Sequence, residues 1–180
     1  MEHASDPGPS PTLVGISFEN HFRAQEFVLA ASSLAAAGKL VIKDVVTVLK
    51  DPSGKTMVHE TIDPGPTRSA LSGAVWAGLF GLMLGGPVGW MAGMAVGAGA
   101  GAVTAKVVDL GIPDEWVTWF KDAVQPGTAT VALLVEDLDR NALVREASRF
   151  TGANLVYANV DDLTIQRLND AFAAHHPGEP

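Results

Sequence analysis

Thirty-seven consecutive residues between Arg68 and Lys106 carry no charge, and any fold for this chain must find them a dry place. The run reads SALSGAVWAGLFGLMLGGPVGWMAGMAVGAGAGAVTA. Gly85-Gly86-Pro87 at its middle breaks helix propensity and invites a turn, so the pattern predicts a helical hairpin. Small residues recur at every fourth position: Gly73, Ala77, Gly81, Gly85, Gly89, Gly93, Gly97, Gly101 and Ala105. Residues four apart share a helix face, and glycine there lets two backbones touch. Each internal glycine costs an isolated helix roughly 0.5–1 kcal/mol relative to alanine, so close packing has to offset the sum. These positions are the expected helix-packing and self-association contacts.

Length bears on where such a hairpin would lie. At 1.5 Å per residue the first arm, Ser69 to Leu84, reaches about 24 Å, and the second, Pro87 to Val108, about 33 Å. A hydrocarbon core is about 30 Å thick, so the second arm is long enough to span and the first is short. Arg68 and Lys106 flank the hairpin at one end and are the expected interface anchors, with Trp76 and Trp90 as an aromatic belt. Trp116 and Trp119 divide evenly between that belt and ordinary packing. A lipid bilayer and further copies of the chain are therefore the expected partners.

The rest of the chain reads as strands and helices. Thr12 to Phe18 is strand-like, and Asn20 stands where a helix N-cap belongs, before Ala24, Phe27, Val28 and Ala31 at helical spacing. Gly38 ends that helix. Leu40 to Lys50 and Thr56 to Ile62 form a hairpin around Asp51-Pro52-Ser53-Gly54. Beyond the uncharged run, Pro113-Asp114-Glu115 opens a helix with Trp116, Phe120, Ala123 and Val124 on its apolar face. Thr128 to Val135 reads as a buried strand, Asp139 to Phe150 as a helix, Asn154 to Val160 as a strand, and a last helix follows Asp161 or Asp162. The order predicts an α+β fold, a ferredoxin-like sandwich with helices on one face and an inserted glycine-rich apolar helical hairpin. The expected boundaries are a disordered tail over 1–11, the α+β domain over 12–66 and 111–175, the hairpin over 67–110, and a tail over 176–180.

Chemistry is hard to find. The net charge of −8 argues against nucleic acid and against a polybasic hold on anionic lipid. Without cysteine there is no disulfide, thiolate or cysteine-ligated metal. His3, His21, His59, His175 and His176 lack metal-ligand spacing. The acidic pairs Asp114-Glu115 and Asp161-Asp162 suit helix N-termini, and Glu136-Asp137 a strand end. Gly97-Ala98-Gly99-Ala100-Gly101 has no strand before it and no Lys-Ser/Thr after it, so the phosphate-loop readings fail. No catalytic residue, metal site or cofactor is expected.

Two stretches resemble a bacterial family of predicted membrane proteins, the domain of unknown function 1269 group. One is Gly73 to Gly89, with Trp76 and the Gly85-Gly86-Pro87 centre. The other is Asp109-Leu110-Gly111-Ile112-Pro113-Asp114-Glu115-Trp116, followed by Pro126-Gly127-Thr128-Ala129 and the strand Val131 to Val135. The similarity runs over roughly Thr12 to Val160. It implies a membrane label and no enzymatic activity.

The sequence thus predicts a non-enzymatic structural protein of the bacterial cytoplasmic membrane, self-assembled and inserted through a glycine-zipper hairpin, its α+β domain facing the cytoplasm. The alternatives are a cytoplasmic, soluble homo-oligomeric assembly (a filament or closed particle) with the hairpins as its core, or a small-ligand regulatory module.

Overall fold

The computed structural model describes residues 11–60, 76, 79, 80, 111–160 and 163–167. Five strands form one sheet, joined and covered by helices: β1 (Thr12–Phe18), α1 (His21–Ala36), β2 (Val41–Lys50), β3 (Thr56–Glu60), α2 (Asp114–Ala123), β4 (Ala129–Glu136), α3 (Arg140–Ala147) and β5 (Asn154–Asn159). The strand order is β3-β2-β4-β1-β5, and every neighbouring pair is antiparallel. Each of the crossovers β1-α1-β2 and β4-α3-β5 skips over one strand, so the two halves of the domain interleave.

Local signals explain the elements. The Asn20 side chain accepts the Arg23 N–H at 3.1 Å and starts α1, while Gly38, at φ 70°, closes its end. Between β2 and β3 the Asp51 carboxylate accepts the Lys55 N–H at 2.9 Å and the Ser53 hydroxyl at 2.6 Å, which fixes the hairpin turn. Pro113 is extended at the capping position, so α2 begins at Asp114 rather than at the proline. Asp139 accepts the Ala142 N–H at 2.9 Å and caps α3, which stops at Ala147, short of the expected Phe150.

β4 is the centre. Its residues from Ala129 to Val135 are all buried, and as the middle strand it is paired on both sides. A strand buried on both faces needs a cover on each. On one face α1 and α3 bring Phe27, Val28, Ala31 and Leu143 onto Val14, Ile16, Val131 and Leu133. On the other, Trp116, Phe120 and Val124, together with Trp76, Leu79 and Phe80, cover Leu13, Val46, Ala132 and Leu134.

This corrects the expected ferredoxin-like sandwich with an inserted glycine-rich apolar helical hairpin. Helices lie on both faces of the sheet, not one. No helix among the described residues is long and apolar enough to cross a membrane. Trp76, Leu79 and Phe80, the described part of the uncharged run, are helical and fully buried. Their i, i+3, i+4 spacing presents one apolar face, and the sheet takes the place that lipid was expected to take. The membrane-protein and helical-hairpin readings are corrected with it. The turn at Gly85-Gly86-Pro87 lies outside the described residues.

The second face is held by an aromatic stack. Trp76 lies on Phe80 (ring centroids 5.4 Å), Phe80 on Phe120 (4.6 Å) and Phe120 on Trp116 (5.3 Å), with interplanar angles of 18°, 11° and 12°. Each helix contributes a tryptophan one turn before a phenylalanine, Trp76 and Phe80 from one, Trp116 and Phe120 from the other. Stacked pairs of this kind are worth about 0.5–1.5 kcal/mol beyond the area they bury. Trp119 packs over Gly15 in β1, where a Cβ would stand 2.6 Å from the indole ring.

Candidate functional site

Of the positions expected to carry function, Trp76 lies within the described residues, as do Trp116 and Trp119, which pack in or against the core. Trp76 belongs to the hydrophobic core and not to an interfacial belt, because it is fully buried and its ring stacks on Phe80. Gly73, Ala77, Gly81, Gly85, Gly86, Pro87, Gly89, Trp90, Gly93, Gly97, Gly101, Arg68 and Lys106 lie outside the described residues, as do His3, His175, His176, Asp161 and Asp162. His21 and His59 are exposed, and among the described residues no group of three or more His, Asp or Glu side chains could hold a metal ion.

Between α1 and α3 lies an open groove of about 450 Å³, lined by Arg23, Glu26, Ala30, Leu34, Glu146 and Arg149. Its charges pair locally, Arg23 with Glu26 at 3.6 Å within α1 and Arg149, just past the end of α3, with Glu146 at 2.7 Å. At the end of the sheet a shallower cleft of about 250 Å³ holds Ser17, Asp122, Gln125 and Thr128. Here the Ser17 hydroxyl donates to the Ala123 carbonyl at 3.2 Å, and Thr128 donates to the Gln125 carbonyl at 2.8 Å. Beneath Trp76 an apolar gap of about 10 Å³, bounded by Leu13, Leu79 and Ile165, has room for about one water.

Several polar groups serve local structure. Asp139 caps a helix, and the backbone N–H of Ala142 holds its carboxyl below the ordinary value of 3.8, with Lys39 at 3.5 Å adding to the effect. Asp51 is lowered in the same direction, chiefly by the Ser53 hydroxyl. Glu136 pairs with Lys43 at 3.4 Å across the β2–β4 ladder. Among the described residues, the indole N–H groups of Trp76, Trp116 and Trp119 are buried without a hydrogen-bond partner. Each such donor costs about 1–3 kcal/mol of desolvation.

The sheet edges are different. β3 is the outer strand on one side and β5 on the other. β3 is five residues long, follows Lys55 directly and ends on His59 and Glu60, so charge interrupts it. β5, Asn-Leu-Val-Tyr-Ala-Asn, carries no charge, proline or glycine. Those are the devices by which proteins blunt an edge against pairing.

One hydrogen bond orients the β5 ladder. Val160 donates its N–H to the Pro11 carbonyl at 2.8 Å, continuing the register that pairs Thr12 with Asn159. Antiparallel peptide groups alternate in direction, so those of Asn154, Val156 and Ala158 face β1. Those of Leu155, Tyr157 and Asn159 then face outward, and no described backbone group pairs with them. Their side chains are half-buried or end-exposed: Leu155 and Tyr157 pack against the α1/α3 core, Val156 against the aromatic one. Arg140 steadies this edge, its guanidinium 5.5 Å from the Tyr157 ring centroid and 3.1 Å from the Asn159 amide oxygen. Burial pushes the Tyr157 phenol above its ordinary value, with Arg140 pulling the other way. That residues 154–160 form a strand was legible in the sequence; that the strand is an edge was not, because strand order depends on long-range pairing.

Comparison with known proteins gives one match. The family described as "Protein of unknown function (DUF1269)" matches residues 70–173, beginning later than the stretch of resemblance and ending beyond it. No curated protein matches the chain, and no solved structure does.

Proposed function

We propose, for a chain that belongs to the DUF1269 family of proteins of unknown function, a non-enzymatic role as a self-associating structural module. The observation that carries this reading is the uncharged β5 edge, where the peptide groups of three residues face outward and no described backbone group pairs with them. An edge strand of this composition, unpaired among the described residues, is a template for another strand. The partner is a further copy of the chain, and the assembly needs neither a bilayer nor nucleic acid; a net charge of −8 disfavours the latter. We place the module in the cytoplasm, a reducing compartment with which the absence of cysteine accords.

The test is particle mass in detergent-free buffer across a concentration series. A rise from 18.7 kDa to a multiple of it with concentration is the expected result. A chain that stays at the monomer mass up to the highest concentration reached defeats the reading.

A further inference from the structure

We infer that two copies join β5 to β5 antiparallel about a twofold axis at Tyr157, making one ten-stranded sheet from two five-stranded ones. This rests on the self-association proposed above and names the surface that performs it.

The register follows from the backbone. A twofold axis perpendicular to the sheet keeps each face on its own side, so residues that meet across the seam must have the same parity. The outward peptide groups belong to Leu155, Tyr157 and Asn159, and the middle of that set is Tyr157. Centring the axis there pairs Tyr157 with Tyr157 of the second copy, and Leu155 with its Asn159. Every outward N–H and C=O of the strand is then used. Shifting the axis to Val156 would strand the groups of Asn159 beyond the end of the partner strand.

Side chains agree with this register. Val156 meets Ala158 of the second copy as a close, non-hydrogen-bonded pair, a large residue against a small one, on the aromatic face. On the opposite face Tyr157 meets its twin, and cross-strand aromatic pairs are favourable. Half-buried Leu155, Val156 and Tyr157 would extend both cores across the seam. Charge points to β5 as well. Each copy carries −8, so two copies repel, and β5 holds no acidic residue while the Arg140 guanidinium lies 5.5 Å from the Tyr157 ring, so this edge is where acidic copies approach at least cost. Because the same edge meets itself, the contact closes at two and does not propagate as a filament.

Engineered cysteines test the geometry on the full chain, which has none of its own. Opposed residues of a hydrogen-bonded pair lie about 5.5 Å apart at Cα, within disulfide reach. Tyr157→Cys is expected to form a covalent dimer on mild oxidation. A mixture of singly substituted Leu155→Cys and Asn159→Cys chains is expected to form a mixed disulfide more readily than either chain alone. Tyr157→Lys, which places like charges at the axis, is expected to weaken association about tenfold or more while circular dichroism stays unchanged. If the chain assembles yet Tyr157→Cys stays uncrosslinked and His59→Cys on β3 crosslinks instead, the β5 seam is wrong and the self-association reading survives. If unsubstituted protein is monomeric throughout, both fall.

Discussion

At Gly15 and the aromatic residues, single atoms decide whether the layers fit. Gly15 lets the Trp119 ring approach β1 closely, so Gly15→Val is expected to cost about 1–3 kcal/mol through overpacking, read as a lower midpoint in urea. Phe120 stands between Phe80 and Trp116 in the stack. Phe120→Ala should cost about 3–5 kcal/mol by the same measurement. Trp116→Phe should cost distinctly less, because it deletes a buried indole N–H that has no partner among the described residues along with the ring atoms it removes. None of this was readable from spacing alone. Helical periodicity marks Trp116 and Phe120 as one face, but which rings meet them depends on residues 76 and 80, some forty positions away.

At the scale of elements, the ends are set by side chains that the sequence does expose. Asn20→Ala removes the α1 cap and should cost about 0.5–2 kcal/mol, seen as a lower thermal midpoint. Asp139 caps α3 as a carboxylate whose folded value lies below the ordinary 3.8. A depressed acid stabilises the fold above its unfolded value and loses that contribution as pH falls through the folded one. Thermal midpoints of the unsubstituted chain and Asp139→Asn should therefore differ at neutral pH and converge well below pH 3.8. The signals for Asn20, Gly38 and the Asp51 turn were legible because capping and turn chemistry act within a few residues. The short α3 was not, since the helical spacing continues to Phe150 while that ring turns in to meet Phe18 and Phe27 at 5.6 and 5.7 Å.

Across the whole molecule, Phe80 is the link between the uncharged run and the sheet. Phe80→Ala should lower global stability by about 3–5 kcal/mol, because its ring bridges two tryptophan–phenylalanine pairs rather than facing an apolar solvent. Association should strengthen as salt rises from low ionic strength, since each copy carries −8 and screening weakens their repulsion. A dimer mass independent of salt would oppose that balance.

The sequence by itself determined the local matters: alternating and helical periods, caps, turns, the acidic charge, and membership in a family through residues 70–173. It also showed that Trp76, Leu79 and Phe80 needed a dry surface. It could not show which surface, because burial in lipid and burial against a sheet ask the same apolar pattern of a helix. Only the tertiary structure decided that, by placing β4 in the middle with two faces to cover. The same long-range pairing put the uncharged β5 at the rim of the described sheet.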